Sequence, residues 1–272
     1  MKKPKSVQRS PKMQIVTAND FITAVGLESM TLKAKKLLYV AISQVKLTDK
    51  EFYEFRLTPL EFSDMMKIDV SHVYGEAEKI CDELSALFLK IREEKSTVNY
   101  SVFSRIEYSD TSDIIFKLNK DMSDFLLQLR GQFSKPLLED FLTMRSPYSM
   151  SIWHLMQQYM HSRKPKIMEP IEFDISLQEL REVTGTDKVK TYDRLSNFKD
   201  RILAQALKEI KDTAGVKVTY TDIKKGRAVT GFHFKAESLY EPAEPFDVLW
   251  VEQVKERARN TRRKGQQEGE KT

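Results

Sequence analysis

Apolar residues recur at helical spacing between Thr31 and Val45, with Leu37, Leu38, Ala41, Ile42 and Val45 on one side. Phe52–Leu57 alternates as a short strand. Thr58 followed by Pro59 marks a helix start, because a hydroxyl caps the first turn and proline fits its first position. That helix runs to about Lys67. A longer one is expected over Ser71–Ile91, with Ala77, Ile80, Cys81, Leu84, Leu87, Phe88 and Ile91 turned inward. Val98–Ile106 and Ile114–Leu118 alternate at period two around the polar segment 109–113 and predict a hairpin.

The same order then returns. Ser149–His161 has a helical pattern and Ile171–Ile175 a strand pattern. Ser176–Val183 is a short helix that Ser176 and Glu179 would close with a capping box. A long helix is expected over about Lys190–Asp212, then a hairpin in which Val216, Val218 and Tyr220 alternate. It turns through Lys224, Lys225, Gly226 and Arg227 and returns with Phe232 and Phe234. An offset of 118 residues, Phe55 over Phe173, superposes the two halves without a gap. It lays Glu61 on Glu179, Asp69 on Asp187, Tyr74 on Tyr192, Asp82 on Asp200, Leu89 on Leu207 and Lys90 on Lys208. An internal repeat of this size signals a duplicated domain. Helix, strand, helix, helix, hairpin is the order of a winged helix, a helix-turn-helix with a hairpin beside it. The fold class is therefore α+β: two tandem winged-helix domains related by an internal duplication.

Chemistry concentrates in the second long helix. Leu195, Phe198, Ile202, Ala206 and Ile210 make its apolar side, while Lys190, Arg194, Asn197, Arg201 and Lys208 share another face with no acid among them. A solvated surface gives the same pattern. The alternative is a DNA major groove, where Arg and Lys suit guanine edges and Asn suits adenine. The repeat bears on the choice: Arg194 falls on Glu76, Asn197 on Lys79 and Arg201 on Glu83, and the second hairpin tip is basic where the first is acidic. A carboxylate gains nothing against phosphates, so the second copy is expected to contact DNA. The candidates are Lys188, Lys190, Tyr192, Arg194, Asn197, Lys199, Arg201, Lys224, Lys225 and Arg227. Lys199 lies toward the apolar side, and its ammonium is expected to snorkel to the phosphates. Asp193 and Asp200 lower the net charge of the same helix.

Composition narrows the remaining classes. The chain has 272 residues, 40% of them hydrophobic, and a net charge of +5, which favours a polyanion only where it is concentrated. Its one cysteine, Cys81, excludes an internal disulfide and suggests a reducing, cytoplasmic setting. There is no phosphate-cradling P-loop motif and no run of 18 apolar residues. His154 and His161 sit seven apart on one helix without a third ligand, so neither a metal nor another cofactor is expected. A nicking enzyme with Tyr192 as nucleophile is the catalytic rival, but a His-x-His pair is absent. No enzymatic activity is expected.

The second copy resembles the plasmid replication initiators that bind directly repeated origin sequences, the iterons. The resemblance is carried by Pro147-Tyr148-Ser149, by the run from Phe198 to Ile210 and by the basic wing followed by residues 229–235. It extends from about Asn19 to Lys235. It implies a C-terminal domain that reads the repeat and an N-terminal domain that dimerises or adds phosphate contacts. It also implies monomers that open the origin, dimers that repress the protein's own gene, and host initiator and replicative helicase as partners. A two-domain repressor without an initiation role is the alternative. The expected division is a disordered basic arm at 1–18, winged helices at 19–135 and 136–245, and a basic tail at 246–272. The joint is expected at Leu126–Leu142, with Gly131 and Pro136 as breakers that let the domains shift.

Overall fold

The computed structural model describes residues 4–8, 10, 12–46, 48–92, 96–108, 113–129, 133–160 and 169–239. The expected tail at 246–272, most of the first hairpin tip, His161 and Gly131 lie outside the described residues. Strand β1 (Lys5–Ser6) precedes β2 (Thr17–Ala18), the short helix α1 (Asn19–Ile22) and helix α2 (Leu32–Ser43). Then come β3 (Phe55–Leu57), α3 (Pro59–Met66) and α4 (Val73–Ser85). Four strands follow: β4 (Phe88–Arg92), β5 (Thr97–Ser101), β6 (Phe103–Glu107) and β7 (Ile114–Leu118). After α5 (Ser123–Leu126), β8 (Phe133–Ser134) and α6 (Leu138–Thr143), the second copy runs α7 (Pro147–Tyr159), β9 (Ile171–Ser176) and α8 (Leu177–Thr184). It continues through α9 (Leu195–Phe198), α10 (Ala204–Ala214) and the hairpin β10 (Val216–Lys225) and β11 (Ala228–Ser238).

The duplication holds at the level of backbone register. In the first copy Phe55 faces Phe116 and Leu57 faces Ile114. In the second, Phe173 faces Phe234 and Ile175 faces Phe232, the same pairs moved by 118. The paired rings repeat as well, with centroids 6.1 Å apart in the first copy and 5.7 Å in the second. Helix α3 moved by the same offset coincides with α8 at both ends.

Beyond that point the copies diverge. The expected helix over Ser71–Ile91 stops at Ser85, and the next residues form β4, paired with β5 from Phe88–Ser101 to Arg92–Thr97. Leu87 to Ile91 is rich in aromatic and branched side chains that suit a half-buried strand. The equivalent stretch of the second copy is rich in Ala, Leu, Lys and Glu, which favour helix, and it stays helical to Ala214. The matches of Leu89 with Leu207 and Lys90 with Lys208 therefore join a strand to a helix. The single strand expected at Val98–Ile106 is two: β5 pairs with β4, and β6 pairs with β7.

Two further expectations are corrected. The N-terminal arm is not disordered where it is described: β1 runs parallel to β3, Val7 is buried, and Ile15 and Val16 enter the core. The segment Leu126–Leu142 is not a free joint either. β8 pairs antiparallel with β2, Ile15 N–H donates to Pro136 O at 2.9 Å, and Leu138 N–H donates to Met13 O at 2.8 Å. Leu138, Phe141 and Leu142 are buried.

The two copies meet across α2 and α7. Tyr39 Oη and Thr17 Oγ1 bond the two ring nitrogens of His154, at 2.9 and 3.1 Å. Burial, with the nearby Lys35 charge, pushes the imidazole down to about 3, so it is a neutral core group with both ring nitrogens engaged. Lys35 is buried as well. Its ammonium donates to Ser151 Oγ at 2.8 Å, and burial brings it down to about 8 against the opposing charges of Glu28 and Glu83. Among the described residues no helix is long and apolar enough to cross a membrane.

Two carboxylates of α4, Glu76 and Glu83, are used within the first copy. Glu83 accepts Thr31 N–H and Thr31 Oγ1–H, both at 2.7 Å, at the start of α2, and Glu76 pairs with Lys33 and Lys79. Glu83→Ala removes this acceptor at the start of α2 and should lower the unfolding free energy by about 1–2 kcal/mol in chemical denaturation.

Candidate nucleic-acid interface

Helix α8 opens on Ser176, whose hydroxyl accepts Glu179 N–H at 3.1 Å. The expected capping box is not closed, because the Glu179 carboxylate accepts the Tyr159 hydroxyl at 2.6 Å instead. The closed box is in the first copy, where Glu61 returns to Thr58 N–H at 2.8 Å. Farther along α8, Arg181 reaches over the turn that follows. Its guanidinium donates to Tyr192 O at 2.8 Å and Asp193 O at 3.2 Å and lies 5.9 Å from the Phe198 ring. Its equivalent, Ser63, ties down the corresponding turn by donating to Ile68 O at 2.7 Å. Sequence reasoning missed Arg181; the repeat held the signal, a polar side chain at one position of both copies.

The helix expected over Lys190–Asp212 begins later. Lys190–Tyr192 is a short 3-10 turn, Arg194 is the extended residue before α9, and a π turn at Lys199–Leu203 separates α9 from α10. In that turn Ala204 N–H donates to Lys199 O, five residues back. The extra residue breaks the regular helical wheel, so Lys208 does not continue the face of Arg201. It pairs with Asp212 at 2.9 Å.

The ten predicted residues divide into two groups. The side chains of Lys190, Arg194, Arg201, Lys224, Lys225 and Arg227 are exposed and make no hydrogen bond or ion pair among the described residues. The other four have internal roles. Lys188 pairs with Glu28, and the Asn197 amide donates to Thr191 O at 2.8 Å, closing the turn before α9. Tyr192 is half-buried against the core. Lys199 departs from the expected reach toward phosphates: its ammonium bonds both Asp222 oxygens, at 2.6 and 2.8 Å, beside the Tyr220 and Phe232 rings. That contact fastens the helical segment after Arg194 to the hairpin.

The hairpin is built to project. β9 pairs with β11 only from Ile171–Ala236 to Ser176–Gly231. Residues 224–230, with Lys224, Lys225 and Arg227, extend past the third strand around the turn at Gly226 and Arg227. At the edge of that support a Cβ on Gly231 would stand 2.7 Å from Ile175 O, so only glycine lets the strands close there.

An α8-turn-α9 unit with a basic hairpin beside it, doubled by a first copy of like topology, defines a tandem winged-helix protein. The chain belongs to the replication initiator family: the model for the first winged helix of initiator replication proteins matches residues 14–157, and that for the second winged helix matches 176–236. Among solved structures, the Pi initiator protein in complex with iteron DNA is similar in fold at 22% identity, with a TM-score of 0.68, covering 84% of this chain and 98% of that chain. Domains 2 and 3 of RctB give a weaker likeness, 11% identical with a TM-score of 0.44 over 78% of this chain and 84% of that one.

Asp222→Asn should free the Lys199 ammonium for a phosphate. The plot of log affinity for duplex DNA against log salt, followed by fluorescence anisotropy, should then steepen by about one unit.

Proposed function

We propose that this chain is a plasmid replication initiator that binds directly repeated origin DNA, with the second winged helix as the sequence reader. The observation that carries the proposal is the division of charge between the copies. Arg194 and Arg201 stand exposed and, among the described residues, unpaired, while Glu76 and Glu83 at the equivalent positions are taken up by α2 of their own domain. Lys190, Arg194 and Arg201 on one side and Lys224, Lys225 and Arg227 on the wing supply the cations for phosphates and guanine edges. The fold shared with the Pi protein, whose structure holds iteron DNA, supports the same reading. The first winged helix, 19–135, serves dimerisation or adds phosphate contacts, and 136–245 forms the reader. Dimers repress the protein's own gene, and host initiator and helicase proteins join it at the origin in the cytoplasm. The protein acts by binding, without catalysis. Tyr192, half-buried and with its carbonyl held by Arg181, is poorly placed as a nucleophile.

A footprint on the DNA flanking its own gene should show tandem protected sites one or two helical turns apart; a lone palindrome would favour a repressor with no initiation role. Arg194→Ala or Arg201→Ala should cost about 1–3 kcal/mol of specific binding and relax preference at one base pair. Lys225→Ala should weaken all sequences alike and reduce the salt slope by about one unit. Equal losses on specific and random duplexes for both classes of variant would overturn the assignment of base readers.

A further inference from the structure

One cation on the reader's side of the molecule is already spoken for by the other copy. Lys188 closes the turn Thr186–Lys188 ahead of the reading helix, and its ammonium bonds Glu28 Oε1 at 2.6 Å. The two ends of this pair differ in character. The Lys188 side chain is 59% exposed, while that of Glu28 is 8% exposed. Glu28 is also fixed from behind, since its other oxygen accepts Gly26 N–H at 2.6 Å. Its stem packs under the same turn: a Cβ on Gly185, where φ is +65°, would lie 3.0 Å from Glu28 Cγ. Glu28 is therefore a preplaced acceptor, and Lys188 is the solvent-facing partner.

The surroundings set the sign of the interaction. A crevice of about 210 Å³ opens at this junction, with Glu28, Glu182 and Asp187 in its wall and Lys188 as the one Lys or Arg among the described residues that line it. The ammonium thus shares the crevice wall with three carboxylates, and Glu28 also feels the charge of the buried Lys35 ammonium. The pair is no relic of the duplication, because Val70 occupies the place of Lys188 in the first copy. A phosphate arriving at the turn meets an ammonium whose present partner is anionic and fixed in place, so the two anions repel one another across it.

We propose that Glu28 and a DNA phosphate compete for the Lys188 ammonium, so that DNA binding by the second winged helix releases the first copy's hold on the turn. The inference rests on the reading of the second winged helix as the DNA-binding domain. Coupling of this kind is reciprocal: whatever loosens the contact at Glu28 strengthens DNA binding, and DNA loosens the contact by the same factor.

Binding of random-sequence duplex DNA at low salt tests the proposal in a double-mutant cycle. Glu28→Gln keeps the shape and the bond from Gly26 but lifts the competing charge. It should tighten binding about two- to fivefold, the range expected for an ion pair with one exposed partner. In a Lys188→Ala background the same substitution should change nothing. Weaker binding by Glu28→Gln would make Glu28 a support for DNA binding and overturn the proposal. Equal tightening with and without Lys188 would also overturn it, as a general effect of charge. Lys225→Ala measured in parallel separates the two levels: if it binds as tightly as the unmodified protein, the DNA-binding surface lies elsewhere and both readings fall. If it binds more weakly while Glu28→Gln shows no gain, only the competition falls. A second readout needs no variant at Glu28. Adding DNA to the unmodified protein should speed hydrogen exchange of the amides from Ala24 to Ser29, and should not do so in Lys188→Ala. Unchanged or slower exchange in the unmodified protein would count against release.

Discussion

Tyr39, His154 and Thr17 meet where water is excluded, and with Lys35 and Ser151 they join helices of the two copies in one core. The partners are polar, so each bond specifies one angle and register between α2 and α7, where greasy contact alone would tolerate sliding. A buried donor or acceptor left unpaired there would cost more than the bond gives back. This constraint places Glu28 beside Gly185 and sets how the first winged helix stands against the turn that precedes α9. The segment once expected to hinge adds to it, through β8 on β2 and Lys36 donating to Leu142 O at 2.7 Å.

Within that frame the same fold is used in two ways. Both copies hang a sheet on a phenylalanine pair in identical register, cap the first helix of the helix-turn-helix with a hydroxyl, and tie down the following turn from one helix position. They part in what the second helix does with its charges. In the first copy Glu76 and Glu83 point home, to Lys33 and Thr31, and the chain spends its next residues on the β4–β5 hairpin. In the second the equivalent arginines point out, the helix continues to Ala214, and Asp222 holds Lys199 and so ties the helix to the wing.

Much of this was legible in the sequence, because the repeat could be checked against itself. Phe55 over Phe173 and Thr58 over Ser176 predicted equivalent strands and caps, and the structure has them. What was not legible depended on choices that periodicity cannot rank. Leu87 to Ile91 fits the inner side of a helix and alternates as a strand equally well, and pairing with β5 decided for the strand. Lys199 showed a basic residue near an apolar side, but only the approach of Asp222 from the hairpin determines where its ammonium goes. The π turn left no trace in a wheel drawn at 3.6 residues per turn. Glu28, distant in sequence and in the other copy, could not be connected with Lys188 before the fold brought them together.

Cys81 shows how a residue of no direct functional weight can still be useful. It is the only cysteine in the chain, it is fully buried in the first copy, and burial raises its thiol to about 12. A maleimide meets thiolate only where the sulfur is accessible and ionised, so the native fold shields this position from labelling. A cysteine engineered at the hairpin tip would accept a fluorophore or spin label alone, with the natural thiol left in place.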